Sequence, residues 1–333
     1  MKEELELRIH GEKYFNGSFS YPLKKGSTLV FLEDKIPFIN EFIEETKRGE
    51  EVVLCKSDLP LSSSSLAFSS DYPLYPNLSV KDNLLTLLKG SKKEVEIALK
   101  KLANEYELSS YLDKKAKDLP EVITIRLLFA KLFSSPREVI VFASSFKRLS
   151  SSSIKELLRL VKKANASFIY LTKNVYEAMV IADSLVTNPF SGDEEKGDPL
   201  SLLSDPKKKK TLEAIYSSKL NIIPFHHEDK GIKLLNRLWP LESEIDGFFL
   251  IHQKEVRLSP NGEYAGKVLF VEQGIIHVQC ALNEVKIETN DVSLSVGQEV
   301  HFSFDLSKGY YFTNKGERIL LNLMKENNHE KSS

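Results

Sequence analysis

Leu29-Val30-Phe31-Leu32 and Phe168-Ile169-Tyr170-Leu171 are unbroken apolar runs, and Val52-Val53-Leu54 and Val139-Ile140-Val141-Phe142 repeat the pattern. Apolar runs of three or four residues without a polar partner face predict strands buried on both sides, as in a parallel sheet covered by helices. Between them, positions 93–106 and 153–163 place apolar residues three and four apart with charges opposite, predicting amphipathic helices. The first 190 residues therefore read as an α/β domain.

Outward from this core the pattern changes twice. Ser191-Gly192-Asp193-Glu194-Glu195-Lys196-Gly197-Asp198-Pro199 is polar and rich in turn formers, and marks a boundary. The lysines at 207–210 read as a solvated face. From about 247 the period is two: Ile276-His277-Val278-Gln279-Cys280, Val285-Lys286-Ile287 and Val300-His301-Phe302-Ser303-Phe304 alternate, with glycines at 262, 266, 274, 297 and 309 between them. That predicts a small antiparallel β barrel or sandwich. The serine clusters at 62–65 and 150–153 read as loops or helix starts.

Charge excludes one class of partner. Lys plus Arg total 46 and Asp plus Glu 47, leaving a formal net charge of -1. Nucleic-acid binding rests on an excess of cations against phosphates, so no nucleic-acid partner is expected. No apolar stretch approaches the roughly 18 residues that cross a bilayer. The charged start Met1-Lys2-Glu3-Glu4-Leu5-Glu6 is not expected to act as a secretory signal. Cys55 and Cys280 are far apart and read as buried thiols of a cytoplasmic protein.

An α/β domain of this size prompts a search for a phosphate-cradling loop, which needs clustered glycines followed by Lys and Ser or Thr. The chain has 15 glycines in 333 residues, fewer than the usual proportion of about 7%. None begins G-x-x-x-x-G-K-[ST]; Gly192 and Gly197 have the spacing, but Asp198-Pro199 follows. No metal is expected at His226-His227-Glu228-Asp229, because adjacent loop side chains seldom converge on one ion. There is no G-x-S-x-G elbow, and Cys55 has no evident histidine partner.

Asp71-Tyr72-Pro73-Leu74-Tyr75-Pro76-Asn77-Leu78-Ser79-Val80-Lys81-Asp82-Asn83 closely resembles the "YALYP…TV-x-E-N" segment of the ATP-binding subunits of maltose- and glycerol-phosphate-type ABC importers. The resemblance extends both ways along nearly the whole chain. Ala130-Lys131-Leu132-Phe133 is similar to the family's A-R-A-L helix. Ile169-Tyr170-Leu171-Thr172 with Glu177-Ala178-Met179 and Ala182-Asp183 is similar to its Y-V-T-H-D-Q-x-E-A-M-x-x-A-D. Asp198-Pro199-Leu200 resembles the linker into the family's accessory domain, and Glu255-Val256-Arg257-Leu258 the entry to its OB-like β (TOBE) module.

The resemblance implies an ABC-ATPase-like (P-loop NTPase-like) parallel-sheet domain over 1–190, a linker and helical/β transition over 191–246, a small antiparallel OB-like β domain over 247–325 and a disordered tail over 326–333. It also implies where working residues should stand. After Leu32 comes Glu33-Asp34-Lys35-Ile36-Pro37-Phe38-Ile39-Asn40, with Ile39 where the phosphate-loop lysine belongs. The γ-phosphate-sensing glutamine falls at Ser70, the L-S-G-G-Q signature at Leu119-Pro120-Glu121-Val122-Ile123, and the magnesium-associated aspartate at Ala143. The catalytic glutamate falls at Ser144, the dimer-bridging aspartate at Ser150 and the switch histidine at Lys173. Tyr14 corresponds to the aromatic that stacks on adenine.

With those positions vacated, the expectation is a pseudo-ATPase that holds neither ATP nor Mg tightly. Its role would be to scaffold or regulate a carbohydrate import system from the cytoplasmic face of the membrane. The expected partners are ABC permease membrane subunits, docked at Tyr72, Leu74, Tyr75 and Pro76, with a second copy or an active ATPase subunit completing a dimer. The alternatives are a free-standing regulator acting through the OB-like module and, least favoured, an unorthodox ATPase using Lys35.

Overall fold

The structure, a computed structural model, describes residues 5–11, 17–33, 36–57, 59–143, 149–189, 193–290 and 293–322. It divides into two compact units, 1–204 and 205–333.

The first unit begins with the hairpin β1 (Leu5–Gly11) and β2 (Gly17–Leu23), then β3 (Thr28–Leu32), α1 (Ile36–Arg48), β4 (Val52–Lys56), β5 (Leu59–Pro60) and β6 (Leu66–Phe68). Helices α2 (Val80–Leu85), α3 (Lys92–Glu105) and α4 (Glu121–Leu132) follow, then β7 (Val139–Ala143), α5 (Ser151–Lys163), β8 (Ser167–Thr172), α6 (Val175–Ile181), β9 (Ser184–Thr187), β10 (Glu195–Gly197) and α7 (Pro199–Ser204).

The central sheet has the order β10-β9-β3-β8-β7-β6, and every pair except β9–β10 is parallel. All five residues of β3 and all six of β8 are buried, as unbroken apolar runs require. Val52-Val53-Leu54 departs from expectation: β4 lies in a second, antiparallel sheet, β2-β1-β4-β5. Its Val53 is only half-buried, which suits a strand packed on one face. β1 alternates in the same way, with Leu5, Leu7 and Ile9 turned inward onto Phe31, Phe42 and Val141. Phe42 of α1 sits 5.5 Å from Phe31, so α1 is fixed in this shared core.

Helix starts follow local chemistry. Ser91 and Glu94 form a reciprocal capping box on α3. Ser150 accepts the Ser153 N–H at the start of α5, and Lys162 and Lys163 complement the dipole at its end.

The second unit contains α8 (Lys209–Tyr216), β11 (Leu220–Glu228), β12 (Gly231–Leu234), β13 (Arg237–Trp239), β14 (Gly247–His252), β15 (Val256–Leu258), β16 (Tyr264–Glu272), β17 (Ile275–Cys280), β18 (Asn283–Glu288), β19 (Glu299–Phe304), β20 (Tyr310–Thr313) and β21 (Arg318–Ile319). They form two antiparallel sheets, β13-β12-β11-β14-β20-β21 and β15-β19-β16-β17-β18, around Phe225, Phe249, Tyr264, Phe302 and Phe304. The β unit is thus larger than the expected 247–325. Positions 220–239, within the span 191–246 read as a linker and helical/β transition, supply three strands of one sheet, and the division between units after Ser204 falls inside that span. The signal was partly masked by Pro224 and by the paired histidines 226 and 227, which break the apolar alternation of β11. The proposed tail 326–333 lies outside the described residues.

Candidate functional site

The carboxyl ends of β3, β6, β7 and β8 form one edge of the central sheet, where ligands of open α/β folds settle. Only three residues, Glu33, Asp34 and Lys35, separate Leu32 of β3 from Ile36 of α1. No glycine occurs between Gly26 and Gly49. Pro37 lies in the first turn of α1, where its fixed φ and missing N–H are tolerated. The Glu33 N–H donates to the Thr172 carbonyl at 3.0 Å, closing the end of β3 onto β8.

Of the other expected positions, Ser70, Ala143 and Lys173 stand at this edge. The Ser69 hydroxyl accepts the Ala143 N–H at 3.1 Å, and the adjacent Ser70 is exposed. Ala143 ends β7, and Lys173, exposed, follows β8 directly. Lys47 of α1 is 2.7 Å from Asp71, so this cation is already paired. Ile39 lies in α1, with its side chain outside the description; Tyr14 and Ser144 lie outside the described residues altogether.

Glu121 occupies the first turn of α4, at the N-terminal positive end of that helix dipole. Its Oε2 accepts the Ser150 N–H at 3.0 Å, the Ser150 hydroxyl at 2.9 Å and the Ser153 hydroxyl. Partial burial opposes ionisation of this carboxyl, but the donors of Ser153 and Ser150 outweigh it and hold its pKa below the usual range. One carboxylate therefore ties the starts of α4 and α5 together.

The segment 72–83 is built around a buried amide. Asn83 in α2 is wholly buried; its Oδ1 accepts the Tyr75 N–H at 2.8 Å, and its Nδ2 donates to the carbonyls of Tyr75, Ser79 and Leu78 at 3.0, 3.0 and 3.3 Å. Lys131, buried within α4, donates to the Pro73 carbonyl and lies 4.8 Å from the Tyr75 ring centroid. Burial pushes the pKa of this ammonium down. Of the four expected docking residues, Tyr75 and Pro76 are exposed, whereas Tyr72 and Leu74 are half-buried. The Tyr72 hydroxyl accepts from Arg137 at 3.1 Å. The sequence placed Asn83 in the segment that resembles the family's groove surface and Lys131 in the A-R-A-L-like helix, but not their mutual burial; a lysine inside the apolar stretch Ile125 to Phe133 was the available signal.

Two other matched residues are structural. Glu177 is wholly buried and accepts from Tyr170, Thr172 and Asn174 at 3.0, 2.9 and 3.2 Å. Asp183 accepts the Thr28 N–H at 2.8 Å, holding the start of β3. His226 pairs with Asp246 at 3.1 Å, and among the described residues no group of three or more His, Cys, Asp or Glu is placed to hold a metal. Cys55 and Cys280 are both buried. Among the described residues no helix is long and apolar enough to cross a membrane.

No family model matches the chain. A lactose transport ATP-binding protein of Rhizobium radiobacter is 29% identical over 192 residues, which are 55% of this chain and 53% of that protein. A maltose/maltodextrin import ATP-binding protein of Photorhabdus laumondii is 24% identical over 76% of this chain and 73% of its own length. An sn-glycerol-3-phosphate import ATP-binding protein of Ruegeria sp. is 24% identical over 67% of this chain and 62% of its own. The chain thus spans about half the length of the first of these relatives. Among solved structures, cbiO1 from Clostridium perfringens, part of the ABC transporter complex cbiONQ, superposes with a TM-score of 0.49 at 14% identity, over 61% of this chain and 92% of that one.

Proposed function

We propose that this chain, a homologue of the ATP-binding subunits of sugar import systems, does not hydrolyse ATP and instead scaffolds or regulates a carbohydrate importer at the inner face of the membrane. The observation that carries the proposal is the three-residue, glycine-free connection from β3 to α1. A triphosphate needs a run of bare backbone N–H groups and a lysine set among them; these three residues include no glycine and bring two carboxylates beside the single Lys35.

The remaining positions point the same way. Glu121 puts a negative charge at the helix start that, in the resemblance, would face a partner subunit's γ-phosphate through glycine N–H groups. Ala143 cannot hold magnesium, and Lys173 offers no imidazole. Phosphoryl transfer depends on positioning and electrostatic stabilisation by these same parts, so their joint loss leaves no residual route. Each composite site in such dimers takes a phosphate loop from one subunit and a signature from the other. This chain supplies neither, which favours a structural or regulatory role over driving transport.

Docking on permease subunits is supported by the surface that Asn83 and Lys131 hold rigid. Tyr75 is 43% and Leu78 38% exposed, and an exposed aromatic on a fixed loop is a low-entropy anchor for a partner. Co-purification of the full chain with permease subunits from native membranes tests this. Wild type is expected to co-purify and Tyr75→Ala to be lost from the complex; a chain that never associates with them overturns docking. A second reading, a free-standing regulator, is favoured by the apolar run Leu269, Phe270 and Val271 on β16, which stands 37–42% exposed. Retention of a soluble partner that is lost on Phe270→Ser, with no permease recovered, would select it.

A further inference from the structure

A second concave feature lies at the opposite edge of the central sheet, at the amino ends of β3, β6, β7 and β8. It is a cavity of about 540 Å³ lined by Leu5, Lys25, Lys56, Ser64, Ser65, Phe133, Pro136, Arg137, Glu138 and Asn165. Five separate connections meet there: the β2–β3 turn, the end of β4, the turn before β6, the α4–β7 segment and the α5–β8 segment. It is therefore distinct from the edge where Ser70, Ala143 and Lys173 stand.

Its charge is one-sided. Among the described residues that line it, three cations, Lys25, Lys56 and Arg137, stand with one carboxylate, Glu138, an excess of two. Glu138 is engaged by Lys56 at 3.0 Å and by the Ser65 hydroxyl at 3.1 Å. Arg137 is held in place by the Ser64 carbonyl and the Tyr72 hydroxyl, while its buried Nε–H meets no acceptor among the described residues. The turn that carries Lys25 is pinned to β8: the Gly26 N–H donates to the Ser167 hydroxyl at 3.0 Å, and that hydroxyl donates to the Lys24 carbonyl at 3.1 Å. The cations are thus presented by anchored backbone on several elements, which distinguishes this feature from a run of surface lysines.

We infer that this cavity binds a small phosphorylated polyol or sugar, its phosphate held by Lys25, Lys56 and Arg137. A phosphate monoester carries about −1.5 to −2 charges near neutral pH, which matches the cationic excess. The volume falls in the range of about 300–1,000 Å³ typical of small-molecule sites, well beyond the needs of a bare phosphate. Ser64 and Asn165 offer a hydroxyl and an amide to sugar hydroxyls, and Phe133 and Pro136 an apolar wall to a ring face. The site would let the chain sense phosphorylated sugar. It does not rest on the loss of ATP hydrolysis, since the two edges of the sheet share none of these residues.

The test is isothermal titration of the full chain with glucose 6-phosphate and ribose 5-phosphate, with glucose and inorganic phosphate as controls. Binding with a Kd below about 1 mM is expected, at least about tenfold tighter than either control. The exposed Lys25→Ala should keep the wild-type melting temperature and weaken binding about tenfold, and added salt should weaken binding further. The inference is overturned if neither sugar phosphate binds, or if Lys25→Ala binds as wild type does. Inorganic phosphate binding as tightly as the sugar phosphates would overturn the polyol assignment.

Discussion

Replacing Asn83 by alanine probes the loop that the proposed docking surface depends on. The wild-type amide is wholly buried and makes one bond as acceptor and three as donor, all to the backbone of 75–79. A typical bond of this kind contributes about 1 kcal/mol net, and a buried group left without a partner costs about 1–3 kcal/mol. The carbonyls of Tyr75, Leu78 and Ser79 each keep a backbone donor, from the N–H groups of Leu78, Ala116 and Asn83. The main loss is then the Tyr75 N–H and the packing of the amide, together about 2–3 kcal/mol. For a unit of this size that is a fall in melting temperature of roughly 5–10 °C. Asn83→Asp should be worse than alanine, because an ionised carboxylate accepts from Tyr75 but repels the three carbonyls. Urea denaturation gives the stability, and limited proteolysis should show new cleavage within 72–79. A melting temperature within about 1 °C of wild type, with unchanged proteolysis, would refute the view that this amide organises the loop.

Other outcomes follow from the same contacts. Glu156 is nearly buried and accepts from Arg126 and Arg159 at 2.7–2.9 Å; the Arg159 bonds, opposed by burial and reinforced by Arg126, hold its pKa below the usual range. Its contribution is therefore present above the unfolded carboxyl pKa and is lost as pH falls through the lower folded value. Glu156→Gln should cost about 2 kcal/mol near pH 7, below the 3–5 kcal/mol of a fully broken buried pair because Glu107 still holds Arg126. That deficit should shrink below about pH 4, as chemical denaturation across pH will show. Tyr75→Ala should cost only about 1 kcal/mol, the value of its contact with Lys131, yet abolish permease co-purification. Glu121→Ala should loosen the start of α5, read as faster amide exchange at Ser150 and Ser153, without restoring ATP hydrolysis.

The central sheet was legible because β3, β7 and β8 are buried on both faces and leave an apolar run in the sequence. β4 was misplaced because a short run such as Val52-Val53-Leu54 looks the same whether its partners are parallel or antiparallel. Strands 220–239 were not resolved within the helical/β transition, because proline and histidines interrupt the alternation there. At the carboxyl edge, the absence of glycine between Gly26 and Gly49 can be read without coordinates. Spatial partners were not: nothing in the order of residues tells that Glu121 reaches Ser150, or that Asn83 reaches back to Tyr75. The cavity at the amino edge draws on Leu5 of β1 and five connections from Lys25 to Asn165, and no local motif announces such a convergence.

Titration of Mg-ATP into the full chain bears most directly on the claim that the β3–α1 edge has no seat for a triphosphate. The account predicts no saturable heat up to about 1 mM nucleotide. Micromolar affinity that survives Lys25→Ala would place ATP away from the amino-edge cavity and would contradict the claim.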